Sequence, residues 1–280
     1  MRNQDCVGFL QWCLPGLGLR WRGFRKVRGT VCKRVARRMR DLGLADVAGY
    51  RALLATHPAE WARLDAMCRI PISRFWRDRG VFDELASNTL PALARDARER
   101  GDSVVRAWSA GCASGEEPYS LRLAWTLCAE PAFPDVRIDI VATDVDETLL
   151  ARARRGLYRP SSLRDLPLGL VDKAFRRSGG LFQLRPELRR DIAFSRQDIR
   201  TEAPDAKFDL ALWRNLVFTY FDAPSQSRLL DELRAHMRPG GALVIGAHEK
   251  LPMSALGGAA WRGAPPICRL SGMRWPPRSD

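Results

Sequence analysis

Residues 108 to 120 read WSAGCASGEEPYS, a Gly-rich turn between an apolar run (Val104, Val105, Ala107, Trp108) and a segment with helical spacing. Gly111 and Gly115 give the backbone conformations closed to other residues and let it approach a ligand closely. Pro118 at an early helical position starts the helix where its missing N–H costs nothing. Strand, glycine turn and helix in that order form the ligand end of a doubly wound α/β sheet. The turn departs from the dinucleotide fingerprint in one respect. Glu116 and Glu117 stand where a pyrophosphate would have to meet the helix N-terminus. Two carboxylates there repel phosphate and suit a cation. S-adenosyl-L-methionine, with a sulfonium, an ammonium and no phosphate, fits that polarity better than NAD or ATP. The bland alternative is a solvated GEEP helix start.

The second half of such a site is an acid ending the next strand, and RIDIVATDVD (137 to 146) supplies Asp144, about thirty residues past Gly111. That is the spacing of an acid that accepts hydrogen bonds from ribose hydroxyls. Asp144 could instead cap the helix ETLLARARR, but Asp146 is better placed for that and leaves Asp144 for the ligand.

From residue 104 onward the predicted elements alternate. The strands are VVRAW, RIDIVAT, DIAFSRQD, KFDLALWRN and ALVIGA; the helices are PYSLRLAWTLCA, ETLLARARR and SQSRLLDELRAHM. The expected fold is therefore α/β, a doubly wound and mostly parallel sheet. The rhythm fails between Gly156 and Asp191, where a short helix and a hairpin turning at Ser178-Gly179-Gly180 predict a small antiparallel β insertion. Residues 8 to 69 read as all-helical, with breaks at Pro15, Gly16 and Gly18, Gly43 and Pro58. The expected domains are a basic helical N-terminal domain (1 to 69), a linker (70 to 82), and a ligand-binding domain (83 to 280) carrying the insertion at about 157 to 191.

The net charge is +14, and residues 1 to 70 hold 14 Lys or Arg against 5 acids. Within GFRKVRGTVCKRVARRMRDLG (23 to 43), Val27, Val31, Val35 and Met39 recur every fourth residue, so one stripe is apolar and the remainder mostly Arg or Lys. This predicts an amphipathic basic helix, either a solvated face or a docking surface for an acidic partner. Seven cysteines with no CxxC pair argue against a disulfide framework and against a metal site. No apolar run is long enough to cross a membrane and no signal peptide is evident, so a cytoplasmic protein is expected.

These segments together resemble the CheR-type chemoreceptor glutamate methyltransferases. The resemblance runs through KVRGTVCKRVARRMRDLGL (26 to 44), ISRFWRD (72 to 78), WSAGCASGEEPYS, ATDVD (142 to 146), RGLY (155 to 158), FDLALWRNLVFTYFD (208 to 222) and RPGGALVIGAHEKLP (238 to 252). It implies a class I, Rossmann-like methyltransferase fold. It also implies that Ser73, Arg77, Gly111, Glu117, Asp144, Asp198, Ile199, Arg214 and Asn215 surround S-adenosyl-L-methionine. Arg77 and Tyr220 would orient the acceptor. Ser73 stands where the family usually has Thr, and Asp198 where Asn is expected. The family's Tyr lies four residues after the Asn of RN; here that position is Thr219, and Tyr220 lies five after Asn215. Either a bulge restores Tyr220 or the acceptor geometry has changed.

A glutamate carboxylate is already ionised at neutral pH, so methylating its oxygen needs no general base. The implied partner is an acidic helical protein, a chemoreceptor-like methylation helix, read by the basic helix through Arg34, Arg37, Arg38 and Arg40. The short hairpin turn in RRSGGLFQL (176 to 184) leaves no room for a loop that grips a receptor tail pentapeptide, so no such tethering is expected. The chain is expected to act as a monomer, without membrane insertion. A nucleic-acid methyltransferase would need an Asn/Asp-Pro-Pro-aromatic turn or a Pro-Cys after the fourth strand, and RNLVFTYF has neither. The alternative of another class is a non-catalytic cofactor-binding signalling module.

Overall fold

Apolar side chains on both faces of five short runs require a sheet covered from both sides, and that requirement organises residues 72–218 and the described residues from 227 onward. The computed structural model of the protein describes residues 3–252, 261–262 and 266–270, which divide into two compact units. The larger begins with helix α6 (Arg79–Glu84), whose path continues through a π-helical turn at Leu85–Thr89 into α7 (Leu90–Glu99); the first-unit helices, described below, are α1 to α5. Then follow β1 (Val104–Ala110), α8 (Glu116–Cys128), β2 (Arg137–Asp144) and α9 (Glu147–Arg155). The insertion comes next, with β3 (Leu157–Tyr158), α10 (Leu168–Ala174), β4 (Phe175–Ser178) and β5 (Leu181–Leu184). The main sheet resumes with β6 (Ile192–Arg196) and β7 (Phe208–Leu212), and after α11 (Val217–Tyr220) and α12 (Ala223–His236) it adds β8 (Met237–Val244), β9 (Trp261–Arg262) and β10 (Ile267–Leu270).

The seven strands lie in the order β6-β2-β1-β7-β8-β10-β9. The first five run parallel, and β10 is antiparallel to both β8 and β9. Strand order reverses at β1, which is flanked by β2 and β7, so the crevice outside the carboxyl ends of these strands is the topological switch point where such sheets take ligands. Most of the tail beyond residue 252, left without an assigned element by sequence, lies outside the described residues, but β10 pairs with β8 from Ile267 to Arg269. The insertion forms its own sheet, β3-β5-β4, and its hairpin turns on Gly179 and Gly180, both at positive φ as a two-residue primed turn demands.

The smaller unit comprises residues 1–71 with 219–226. Its helices are α1 (Asn3–Gly16), α2 (Trp21–Phe24), α3 (Arg28–Asp41), α4 (Val47–Thr56) and α5 (Pro58–Cys68). Gly18 and Gly43 stop α1 and α3 in the same way. Each sits at φ +67°, and the next residue, Leu19 or Leu44, donates its N–H back to Leu14 or Met39, at 2.9 Å in both cases. This is the Schellman closure that only glycine accommodates without strain.

Three expectations need correction here. Pro15 does not break α1; it lies in the last turn, immediately before the stop. The basic helix starts at Arg28 rather than Gly23, because Val27 takes the N-cap and Trp21–Phe24 forms a separate turn; the buried stripe is Val31, Val35 and Met39. Cysteine spacing gave no disulfide, yet Cys6 and Cys32 are bonded, their Cα atoms 5.9 Å apart where α1 and α3 pack. Sequence spacing reads local pairs, and this bridge depends on tertiary approach across 26 residues.

Two of the four arginines assigned to a partner also turn inward. Arg34 donates to the carbonyls of Met67 and Arg69, closing the end of α5. Arg38 makes a bidentate pair with the buried Glu60, at 2.8 and 2.7 Å, and Tyr50 donates to the same carboxylate at 2.9 Å. Arg37 and Arg40 remain exposed, joined on that face by Lys33.

Within this unit the chain returns at Thr219–Gln226 and is bound by backbone. Arg20 N donates to Tyr220 O at 2.8 Å, and Asp222 N to Gly18 O at 2.9 Å. Gly23 permits this approach, for a Cβ there would lie 2.2 Å from Thr219 O. Gly23→Ala should therefore destabilise the protein by about 1–3 kcal/mol, as overpacking against backbone does. Gly29→Ala, whose Cβ meets nothing within 4 Å, should instead stabilise by about 0.4–1 kcal/mol. Urea unfolding of both variants checks the pair.

Candidate active site

The glycine-rich turn is tied to β2. Gly111 N and Cys112 N both donate to Thr143 O, at 2.7 and 3.0 Å, and Ala113 N donates to Asp144 Oδ2 at 2.8 Å. Asp144 Oδ1 accepts from Asp146 N at 2.9 Å, while Asp146 caps α9 through the N–H groups of Thr148 and Leu149. Asp146 is the cap, as the sequence suggested, and the Asp144 carboxylate holds two backbone amides of the neighbouring turns. Asp144 is thus a fixed acceptor at the end of β2, half-buried beside the turn. Gly111 is at φ +70°, and a Cβ on it would lie 2.8 Å from Leu216 Cδ2, so the cradle accepts no side chain.

Arg214, immediately beyond β7, gathers the other candidates. Its side chain is 2% exposed. Nη1 donates to Glu117 Oε2 at 3.0 Å; Nη2 donates to Asp78 Oδ2 at 3.0 Å and to Arg77 O at 2.5 Å. The guanidinium also lies 5.0 Å over the ring of Phe82. A cation so buried needs acceptors on several sides, and here two carboxylates and a carbonyl provide them. Glu117 Oε1 accepts in turn from Ser109 Oγ at 2.8 Å. Burial raises the Glu117 carboxyl above its ordinary value, against the lowering effect of Arg214 and Ser109. Asp78 behaves oppositely: burial raises it, but Arg214, Arg77, Asn215 and the Ala247 N–H together hold it below its ordinary value.

Arg77 and Asn215 form the open side of this cluster. Arg77 Nη1 donates to Ile72 O at 2.6 Å and Nη2 to Asn215 Oδ1 at 3.2 Å, and the side chain stays half-exposed. Four of the five non-glycine residues at positive φ among the described residues lie here: Trp76, Asp78, Ala113 and Asn215. Such conformations cost about 1–3 kcal/mol each and persist where the surroundings enforce them.

The remaining candidates are placed as follows. Ser73 is half-buried in the linker, four residues before Arg77. Ile199 is buried, and the Asp198 carboxylate clamps the guanidinium of Arg200 at 2.7 Å, beyond the end of β6. Tyr220 belongs to the smaller unit, where its ring packs on Phe24 with centroids 5.1 Å apart. The carboxylates of the turn are not freely offered to a cation. Glu117 is paired with Arg214, and the buried Glu116 accepts from Ser114 Oγ at 2.9 Å and Ser162 Oγ at 3.3 Å. Sequence reasoning missed Asp78, Phe82 and Glu249. Asp78 and Phe82 had a signal in their closeness to Arg77; Glu249, which accepts from Asn215 N at 2.8 Å, had none that spacing could reveal.

Removing one partner of a buried ion pair strands the others. Arg214→Met should cost about 3–5 kcal/mol in unfolding free energy. The sign of the pH dependence follows from Asp78. Its depressed carboxyl stabilises the fold above the unfolded-state value, and that contribution is lost as pH falls through the folded value. Asp78→Asn should make the acid limb of the stability curve shallower, measured by urea unfolding from neutral to acid pH.

The residues present fit S-adenosyl-L-methionine: a glycine cradle no Cβ could share, an acid fixed at the end of β2, and a helix start with two carboxylates where a phosphate would have to lie. Residues 72–257 match the family described as CheR methyltransferase, SAM binding domain. A probable chemotaxis protein methyltransferase of Rhizobium etli is 32% identical over 79% of this chain and 84% of its own length. The chemotaxis protein methyltransferase of Escherichia coli is 32% identical over 79% of this chain and 76% of its own. An uncharacterized 104.1 kDa protein of Rhodobacter capsulatus is 34% identical over 80% of this chain, which spans only 23% of that protein. By sequence and by the site built on its sheet, this chain belongs to the CheR methyltransferase family and carries that family's S-adenosylmethionine-binding domain.

Proposed function

We propose that this chain is a protein-glutamate O-methyltransferase acting on the side-chain carboxylates of an acidic helical protein, a chemoreceptor or a related signalling protein. The observation that carries the reading is Arg77. Its guanidinium is held in place by Ile72 O and Asn215 Oδ1, yet it is half-exposed and keeps further N–H groups for a carboxylate. A planar fork of donors is the group that recognises a carboxylate bidentately. The relatives named as chemotaxis protein methyltransferases support the same class of reaction.

S-adenosyl-L-methionine, when bound, supplies the methyl group on a sulfonium. In this reading Asp144 accepts from the ribose hydroxyls, Glu117 faces the methionyl ammonium while still paired with Arg214, and Asp198-Ile199 line the adenine. Ser73, Gly111, Arg214 and Asn215 complete the enclosure. Arg77 orients the acceptor carboxylate, assisted by the Tyr220 hydroxyl. No proton has to be removed, so these residues act by alignment and by excluding water. Attack of an anion on a cation disperses charge, which a poorly solvated site favours.

Acceptor recognition falls to the exposed face of α3. Arg34 and Arg38 are engaged within their own unit, so Lys33, Arg37 and Arg40 are the residues proposed to meet an acidic helix. The two-residue turn between β4 and β5 supports the absence of tail-pentapeptide tethering. Among the described residues no helix is long and apolar enough to cross a membrane. A cytoplasmic monomer is proposed, a setting whose reducing conditions work against the Cys6–Cys32 bond.

Labelled S-adenosylmethionine incubated with the protein and a lysate of its host should place base-labile methyl groups on an acidic protein. Base-stable label, or label in nucleic acid, would contradict the reading. Asp144→Ala should weaken cofactor binding by about 1–3 kcal/mol in calorimetry, the range for losing charge-assisted hydrogen bonds. Tyr220→Phe should lower turnover with cofactor affinity nearly unchanged, and Thr219→Ala should leave both intact. Raising salt should weaken acceptor binding, since exposed charges are screened beyond about 8 Å at physiological ionic strength.

A further inference from the structure

The segment after β8, Gly246-Ala247-His248-Glu249, folds back on itself through Glu249 N donating to Gly246 O at 2.9 Å. This turn places the Glu249 carboxylate, 8% exposed, between two backbone amides. One oxygen, Oε2, accepts from Gly246 N at 2.6 Å and from Asn215 N at 2.8 Å. Space is closed around it. A Cβ on Gly246 would lie 2.9 Å from that oxygen and 3.0 Å from Asn215 Oδ1. The neighbouring Ala247 N–H is bonded to Asp78. One short turn thus contacts both strained residues that flank the Arg77 and Arg214 guanidiniums.

Asn215 is at φ +56°, in the left-handed region that Asn tolerates better than other non-glycine residues but still at a cost. It lies beyond the last residue of β7, and its N–H donates to Glu249 Oε2 at 2.8 Å. Its side-chain oxygen accepts from Arg77 Nη2 at 3.2 Å. Swinging Asn215 back to an extended conformation would release both contacts together.

We infer that Glu249 is a positioning residue: by accepting from Asn215 N and Gly246 N it holds Asn215 left-handed, and thereby sets the Asn215 amide against Arg77 at the cofactor end of the sheet. The inference rests on the methyltransferase reading for its functional half. Its structural half concerns two amides and can be read without any ligand.

The test compares the full chain with Glu249→Gln, Glu249→Ala and Glu249→Asp. Amide exchange at Asn215 and Gly246 is followed by NMR, and S-adenosylhomocysteine binding by calorimetry, well below the melting temperature. A glutamine carbonyl can still accept from both amides, so Glu249→Gln should keep their protection and an affinity within about threefold of the parent. Glu249→Ala should speed exchange at both amides at least tenfold and weaken binding by about tenfold or more. That is the scale of leaving a buried donor unpaired. If the alanine variant does not fold, Glu249→Asp, one methylene too short for both amides, should show the same two losses. Fast exchange at both amides with unchanged affinity would make Glu249 merely structural and overturn the inference, as would unprotected amides in the parent. A parent that protects both amides but binds no S-adenosylhomocysteine would instead defeat the methyltransferase reading, and the positioning role with it.

Discussion

A guanidinium removed almost wholly from water needs several acceptors at once, and those that gather on the two Nη atoms of Arg214 assemble the site. Glu117 comes from the start of α8, Asp78 and the Arg77 carbonyl from the linker, and the ring of Phe82 from α6. None of these elements is a neighbour of Arg214 in sequence. Their meeting converts a loop end into a fixed frame, because breaking any one contact leaves a buried charge with less than it needs. Glu117 and Asp78 respond in opposite directions to the same cation, the one dominated by burial and the other by its charged and hydrogen-bonding neighbours. Arg214 is therefore better understood as the keystone of the frame than as a group held ready for a ligand.

The backbone records what that frame enforces. Trp76 and Asp78 in the linker, Ala113 in the glycine-rich turn and Asn215 after β7 all occupy the left-handed region. Trp76 is the least suited to it, and it is anchored three ways: its N–H to Ser120 Oγ at 3.0 Å, its indole N–H to Asp83 Oδ1 at 2.9 Å, and its ring stacked on Phe82. The insertion contributes as well. Tyr158 donates its hydroxyl to Ser114 O at 2.8 Å, and Phe75 N donates to Ser162 O at 2.9 Å, so the turn and the linker are both supported from that side. Strain concentrated where several elements converge fits a preorganised binding end rather than a flexible one.

Much of this was legible in the sequence, for identifiable reasons. The glycine turn, the Asp146 cap, the parallel sheet and the Gly179-Gly180 hairpin are local, and local patterns carry local geometry. What sequence did not reveal is tertiary. Arg34 and Arg38 look like their neighbours Arg37 and Arg40, and only the packing of α5 against α3 draws them inward. The bridge from Cys6 to Cys32 depends on the same kind of approach. Glu249 lies within a segment that carries the family resemblance, but its importance lies in two backbone amides, those of Asn215 and Gly246, that only the folded chain brings to it.

In the proposed site, a preformed frame around Arg214 receives S-adenosylmethionine at the carboxyl ends of β1, β2 and β7. A crystal structure of the chain with S-adenosylhomocysteine tests it most directly. The ligand is expected against Gly111, its ribose hydroxyls on Asp144, with the contacts of Arg214 to Glu117 and Asp78 unchanged. A ligand bound elsewhere, or an Arg214 that abandons both carboxylates on binding, would contradict it.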